Sequence, residues 1–238
     1  MPNIGLVIEG AHDREMLFPL IGGLLASKGI KEVSLNTLHP KADETGSIGD
    51  GGWQRVKVWC KSNSGVDLTT YFKPLFEDQP AYDAIVFHVD GGSLLDVCGA
   101  SKSVDVPKLP IAVGARVDHI VQALTEWLAP QSHHSEKLAF AIPVQSTEAW
   151  VLAAEAIHHD IESMDAKVEF QRTYDRGKHG PLSTFYTLRS TEASKHVDKI
   201  LAQCVSFRVF GDSIVGVLTL KSKEGAVPKD TGHQDDIS

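Results

Sequence analysis

The sequence predicts an α/β fold: a parallel sheet of about four strands flanked by helices, with a helical extension toward the C-terminus. Short aliphatic, β-branched runs alternate with stretches of helical period, which is the pattern of βαβ units. Ile4 to Ile8 is apolar at every position rather than every second one, as expected of a strand covered on both faces, whereas Lys31 to Leu38 alternates at Val33, Leu35 and Leu38. Acidic residues and glycines gather where the runs stop, and open parallel sheets bind ligands beyond the carboxyl ends of their strands.

Ile4 to Ile8 is the first such run, stopping at Glu9-Gly10. Apolar positions then recur at Met16, Leu17, Leu20, Ile21, Leu24 and Leu25, predicting a helix that ends near Lys28, with Gly29 as its C-terminal stop. Asp13 falls in its first turn. Lys31 to Leu38 reads as a second strand, Lys41 to Gly52 as a polar, Gly-rich loop, and Trp53 to Lys61 as a helix with Trp53, Val56 and Cys60 on one face. A further helix is expected over Leu68 to Phe76. Asp83 to Val89 is a central strand ending at Asp90-Gly91-Gly92. Residues 93–110 read as irregular loop, Val113 to Leu128 as a helix, and Lys137 to Val144 as a fourth strand, followed by a helix from Thr147-Glu148 through Ala156. Lys167 to Pro181 is polar and in places basic. Two helices, Thr191–Cys204 and Phe207–Leu218, are expected to close the chain. The predicted organisation is an α/β domain over 1–160, a helical extension packed on it over 161–220, and a disordered tail over 221–238.

A net charge of −8 argues against a general nucleic-acid coat protein, although an enzyme acting on nucleic acid needs only a local basic rim. Cys60, Cys98 and Cys204 form no CxxC pair, which fits neither a thiolate zinc site nor a disulfide framework and suits a reducing cytoplasm. No apolar stretch approaches the ~18 residues of a membrane span, so no membrane partner is expected. The chain has no Walker loop, GxSxG elbow, HExxH or GxGxxG after a strand.

Glu9, Asp90 and Glu148 each follow a strand, and Asp13 lies four residues beyond Glu9 across a glycine. Clustered carboxylates repel one another unless a cation lies among them, and hard cations such as Mg²⁺ or Mn²⁺ take oxygen ligands. Glu9, Asp13, Asp90 and Glu148 are therefore the candidate metal ligands. Each has a blander reading: a salt bridge for Glu9, a helix-start acid for Asp13 and Glu148, an Asp-Gly turn for Asp90. His88 sits two residues before Asp90 and suits either a supporting hydrogen bond or a satisfied core position. Trp150 reads as core. Lys178 is the candidate catalytic cation, and Arg176, Arg208 and Arg55 are candidate substrate contacts, each weighed against a solvated surface charge. The His133-His134 and His158-His159 pairs are expected to diverge and to bind no zinc.

The segment Val7-Ile8-Glu9-Gly10-Ala11-His12-Asp13 resembles the strand-Glu-Gly-x-x-Asp opening of Toprim domains, and Phe87-His88-Val89-Asp90-Gly91 resembles their later acidic strand end. Residues 145–153 and 204–208 are similar to motifs of a small stand-alone Toprim-like family, the domain of unknown function 4276. The resemblance spans roughly residues 4–210. It implies a Toprim fold and two-metal phosphodiester chemistry, as in nucleases of the overcoming-lysogenization-defect type, with Glu9 and Asp13 on one metal and Asp90 on a second. It also implies nucleic acid as partner, DNA before RNA, and an association with phage defence. The family pattern has Asp-x-Asp where this chain has Asp90-Gly91-Gly92; Asp96 or Glu148 could supply the second acid. The rival expectations are a non-catalytic module that binds nucleic acid, a protein partner or a second copy, and a phosphohydrolase of small substrates.

Overall fold

A computed structural model describes residues 1–41, 51–76, 79–155, 160–174 and 181–224, the last four of these as helix backbone only. Four strands, β1 (Asn3–Val7), β2 (Ser34–His39), β3 (Ala84–His88) and β4 (Leu138–Ala141), form one parallel sheet in the order β2-β1-β3-β4. The chain leaves β1 toward one edge and returns past it to β3. This reversal opens a crevice beyond the carboxyl ends of β1 and β3, where ligands of doubly wound sheets bind.

The helices are α1 (Ala11–Ser27), α2 (Trp53–Ser62), α3 (Thr69–Phe72), α4 (Leu94–Gly99), α5 (Val113–Leu128), α6 (Ser132–Ser135), α7 (Glu148–Ala153), α8 (Ala166–Thr173), α9 (Leu182–Ser194), α10 (Val197–Gln203) and α11 (Val205–Glu224). Alternate strand residues feed two cores. One face presents Ile4, Leu6, Ala84, Val86, Ala139 and Ala141 to α1, α7 and α9–α11. The three alanines leave room for Trp150, Phe207 and Phe210, all fully buried. The other face sets Val7, Ile85, Phe87 and Leu138 against α2, α4 and α5. Gly29 takes φ +79°, and Ile30 N–H donates to Leu25 O at 2.9 Å, so the expected glycine stop closes α1.

Several sequence expectations change. Residues 94–99 form α4 rather than loop, because Leu94, Val97 and Cys98 make one buried stripe. The stretch from Lys167 begins inside α8, capped by Asp165, whose carboxylate accepts from Val168 N–H at 3.2 Å. The expected Leu68–Phe76 helix is a single turn, and the expected Thr191–Cys204 helix is instead split between α9 and α10. Helix α11 continues through residues 221–224, which were expected to belong to the tail. The rings of His133 and His134 do not diverge; their centroids are 3.9 Å apart. Residues 225–238 lie outside the described residues, as do His158 and His159. Among the described residues no single helix is long and apolar enough to cross a membrane.

Candidate metal centre

Glu9 and Asp90 each stand two residues beyond a strand end, after β1 and β3, so the paired strands deliver them side by side. The Glu9 carboxylate accepts the Asp90 backbone N–H at 2.8 Å. Backbone contacts fix both loops. Glu9 O accepts from Gly52 N–H at 2.8 Å, and Gly91 and Gly92 N–H donate to Pro143 O and Gln145 O at 2.8 and 2.9 Å. A Cβ at Gly91 would stand 2.4 Å from the Pro143 and Val144 carbonyl oxygens, closer than any side chain tolerates. A Cβ at Gly92 would lie 3.1 Å from Gln145 O. Gly92, where a second acid was expected by resemblance, is exposed beside Gln145 O and supplies no carboxylate.

Asp13, His88 and Asp90 each offer a ligand atom within 4.8 Å of the others. His88 is the last residue of β3, and its ring points into the α1–α7 side of the sheet, where Nε2 lies 2.9 Å from Thr147 Oγ1. Thr147 Oγ1 in turn donates to Asp13 Oδ1 at 3.1 Å. A hydroxyl has one proton to give, so with that proton on Asp13 the His88 Nε2–H must donate to Thr147. In this tautomer His88 orients Asp13 through Thr147, and the carboxylates are left to hold a cation. Burial lowers the His88 pKa, outweighing the nearby acids, and keeps the ring neutral.

Glu148 opens α7, 4% exposed, and accepts from Tyr186 OH at 3.2 Å through Oε1. Lys167, from α8, places Nζ 3.0 Å from Asp90 Oδ2. Burial opposes the lysine's charge, but Asp90, Glu148 and Asp13 together hold its pKa above the ordinary value. Burial first, then Asp90 and Glu148, drive the Asp13 carboxyl well above its usual range. Its place in the first turn of α1 would favour the charged form by at most about 1 kcal/mol at an exposed site, and here desolvation wins. Glu9 is raised as well, by burial and then by Asp90, despite the hydrogen bond from the Asp90 amide. Tyr186 is pushed up to about 12 by burial and by Glu148.

Asp90 Oδ1 and Glu148 Oε2 are buried without a hydrogen-bond partner among the described residues, on residues that are 6% and 4% exposed, with His88 Nε2 3.6 Å from Asp90 Oδ1. A buried carboxylate oxygen without a donor is costly, and a divalent cation is the partner that satisfies several such oxygens together. Asp13, His88 and Asp90 could therefore hold a metal ion, with Glu9 fixing Asp90 and Glu148 close by. Two cavities flank Lys167: one of 440 Å³ lined by His12, Asp13, Glu148 and Tyr186 among others, and one of 270 Å³ lined by Gly92, Ser146 and Asp165 among others.

No protein-family model, curated protein or solved structure matches the chain.

Of the four expected ligands, Asp13 and Asp90 fall with His88 in one group whose ligand atoms lie within 4.8 Å of one another, whereas Glu9 accepts the Asp90 amide and Glu148 accepts from Tyr186 OH beside it. Asp96 is exposed on α4 and does not join the cluster. Arg208 is exposed and donates to Leu201 O at 3.2 Å; Arg55 is exposed beside His39. Neither lines the cavities flanking Lys167. Lys178 and Arg176 lie outside the described residues. Lys167, Thr147 and Tyr186 were missed as site residues. For Lys167 the sequence carried an Asp165 cap followed by Ala166 and Phe170 at helical spacing, which marks a short helix but not the side toward which its lysine points.

Proposed function

We propose that the protein hydrolyses phosphodiester bonds in nucleic acid with a divalent cation, Mg²⁺ or Mn²⁺, as a Toprim-like nuclease. The observation that carries this reading is the convergence of Asp13, His88 and Asp90 within 4.8 Å, at a sheet reversal, with buried carboxylate oxygens lacking hydrogen-bond partners among the described residues. A bound cation of this kind supplies Lewis acidity toward phosphoryl oxygens and lowers the pKa of water. The chain's own residues do the rest. Glu9 locks the β1 and β3 loops through the Asp90 amide. His88 and Thr147 aim Asp13. Lys167, beside Asp90, brings a fixed positive charge to the rim where a phosphate would sit, the role expected of Lys178 from sequence.

Purified protein with Mn²⁺ should nick plasmid or cut single-stranded DNA. Glu9→Gln and Asp90→Asn should abolish cutting, and Lys167→Met should slow it roughly 10²-fold or more, the usual effect of removing one donor to developing charge. No cutting of plasmid, single-stranded DNA or RNA with either metal would end the proposal.

The Lys167–Asp90 ion pair favours a second reading, a non-catalytic module in which the ammonium balances the acids without metal. Calorimetric titration with Mn²⁺ separates the two. Heat that disappears in Asp90→Asn supports the enzyme, and the absence of heat in the intact protein supports the module.

A further inference from the structure

A third cavity, of 470 Å³, lies between α1 and the edge strand β2. Arg14, Phe18, Asn36, Thr37 and Lys41 line it. We propose that this groove binds the single-stranded nucleic-acid substrate, with phosphates at Arg14 and Lys41 and a base against Phe18; the inference rests on the function proposed above.

The groove is cationic in a chain of net charge −8. Lys41 is exposed, and the Arg14 side chain is 42% exposed, with only a 4.0 Å approach to Glu15. The Arg14 guanidinium lies 5.3 Å from the centroid of the half-buried Phe18 ring. Phe18 packs partly against the core with the Arg14 guanidinium over its ring, so a base would meet the ring at its exposed edge or in place of that guanidinium; an aromatic ring with positive charge is the combination that binds single strands without regard to sequence. Thr37 Oγ1 is buried there without a hydrogen-bond partner among the described residues, and Asn36 is held in place by hydrogen bonds to Asn3 Oδ1 and Ser34 Oγ at 2.7 and 2.9 Å.

Position supports the same occupant. The 440 Å³ cavity at the acids is walled by Ala11, His12 and Asp13, and the groove by Arg14 and Phe18, so the first turns of α1 form the partition between them. A strand crossing that partition would bring a phosphodiester to the carboxylates while its neighbouring nucleotides rest on β2.

The test is binding of a labelled twelve-nucleotide oligothymidylate to the full chain by fluorescence anisotropy, in EDTA, across a salt series. Without metal, cleavage plays no part. Arg14→Ala/Lys41→Ala, both on the surface, should weaken binding at least about tenfold. It should also flatten the salt dependence by roughly 0.7 per lost phosphate contact. Phe18→Leu, which keeps the apolar packing and removes the flat face, should weaken binding about fivefold. Unchanged affinity and salt slope in the double variant would overturn the groove as the strand path. So would failure of the intact chain to bind at low salt, or a homodimer that the double variant dissociates, which would assign the edge to a second copy. The proposed activity is judged separately, by metal-dependent cutting and its loss in Glu9→Gln.

Discussion

Two buried carboxylates on the same face of the sheet have opposite surroundings. Glu162, 5% exposed, accepts from Val205 N–H at 2.7 Å, from Ser206 N–H at 3.0 Å and from the Ser206 hydroxyl, which also receives the Trp150 indole N–H at 2.8 Å. It closes the start of α11 with protein donors alone. Asp90 is equally buried, yet among the described residues Oδ1 makes no hydrogen bond, its nearest N–H group being His88 Nε2 at 3.6 Å, Oδ2 meets an exposed lysine, and Asp13 and Glu148 crowd beside it. Burial of an acid therefore does not mark a site. What distinguishes the two is whether the fold supplies the donors or leaves them to something outside the chain.

The largest test of that contrast is a pair of variants with opposite signs. Glu162→Ala strands two buried N–H groups and should lower the unfolding free energy by about 3 kcal/mol in urea titration. Asp13→Asn removes one of the mutually repelling acids and should raise it by about 1 kcal/mol in chelator, while abolishing stabilisation by Mn²⁺. Destabilisation by both would make the acid cluster ordinary scaffold.

The pH dependence follows from the raised carboxyls of Asp13 and Glu9. The native chain holds those protons more tightly than the unfolded chain. Their contribution to stability is therefore full below the unfolded pKa, near about 4, and is lost as pH rises through the raised native values. In chelator, denaturation midpoints should show this loss, with a shallower slope in Asp13→Asn. Saturating Mn²⁺ should reverse the slope, because metal and proton compete for the same oxygens. Stability that rises with pH in chelator at this site would contradict the mutual repulsion.

The smallest expected effect is that of Arg208→Ala. An exposed arginine bonded to one carbonyl should cost within about 0.5 kcal/mol and leave Mn²⁺ binding unchanged. A large loss of metal binding would bring α11 into the site.

What could be read from sequence follows the same division. The apolar run of β1, the stripe of α1 and the whole of α5 were legible because each buries a continuous periodic face. Helices α4 and α8 were not: α8 buries only Ala166 and Phe170, too little to stand out against its charges. Glu9 and Asp90 were legible because strand ends in a parallel sheet fall together. Lys167 and Tyr186 arrive from 77 and 38 residues beyond the acids they touch, and no local pattern encodes such an arrival. The role of His88 depended on a single hydroxyl, that of Thr147, whose position only the folded chain fixes.

Helix α9 lies along α1, and Phe207, Phe210 and Ile214 of α11 share one core with Ile4 and Leu20. A fragment cut after α7 would retain every acid but strip the cover from Leu20, Leu24 and Trp150, and would discard the lysine that faces Asp90. The part that carries the charges and the part that wraps them therefore share one core, and a fragment that keeps this packing has to extend well into the final helix.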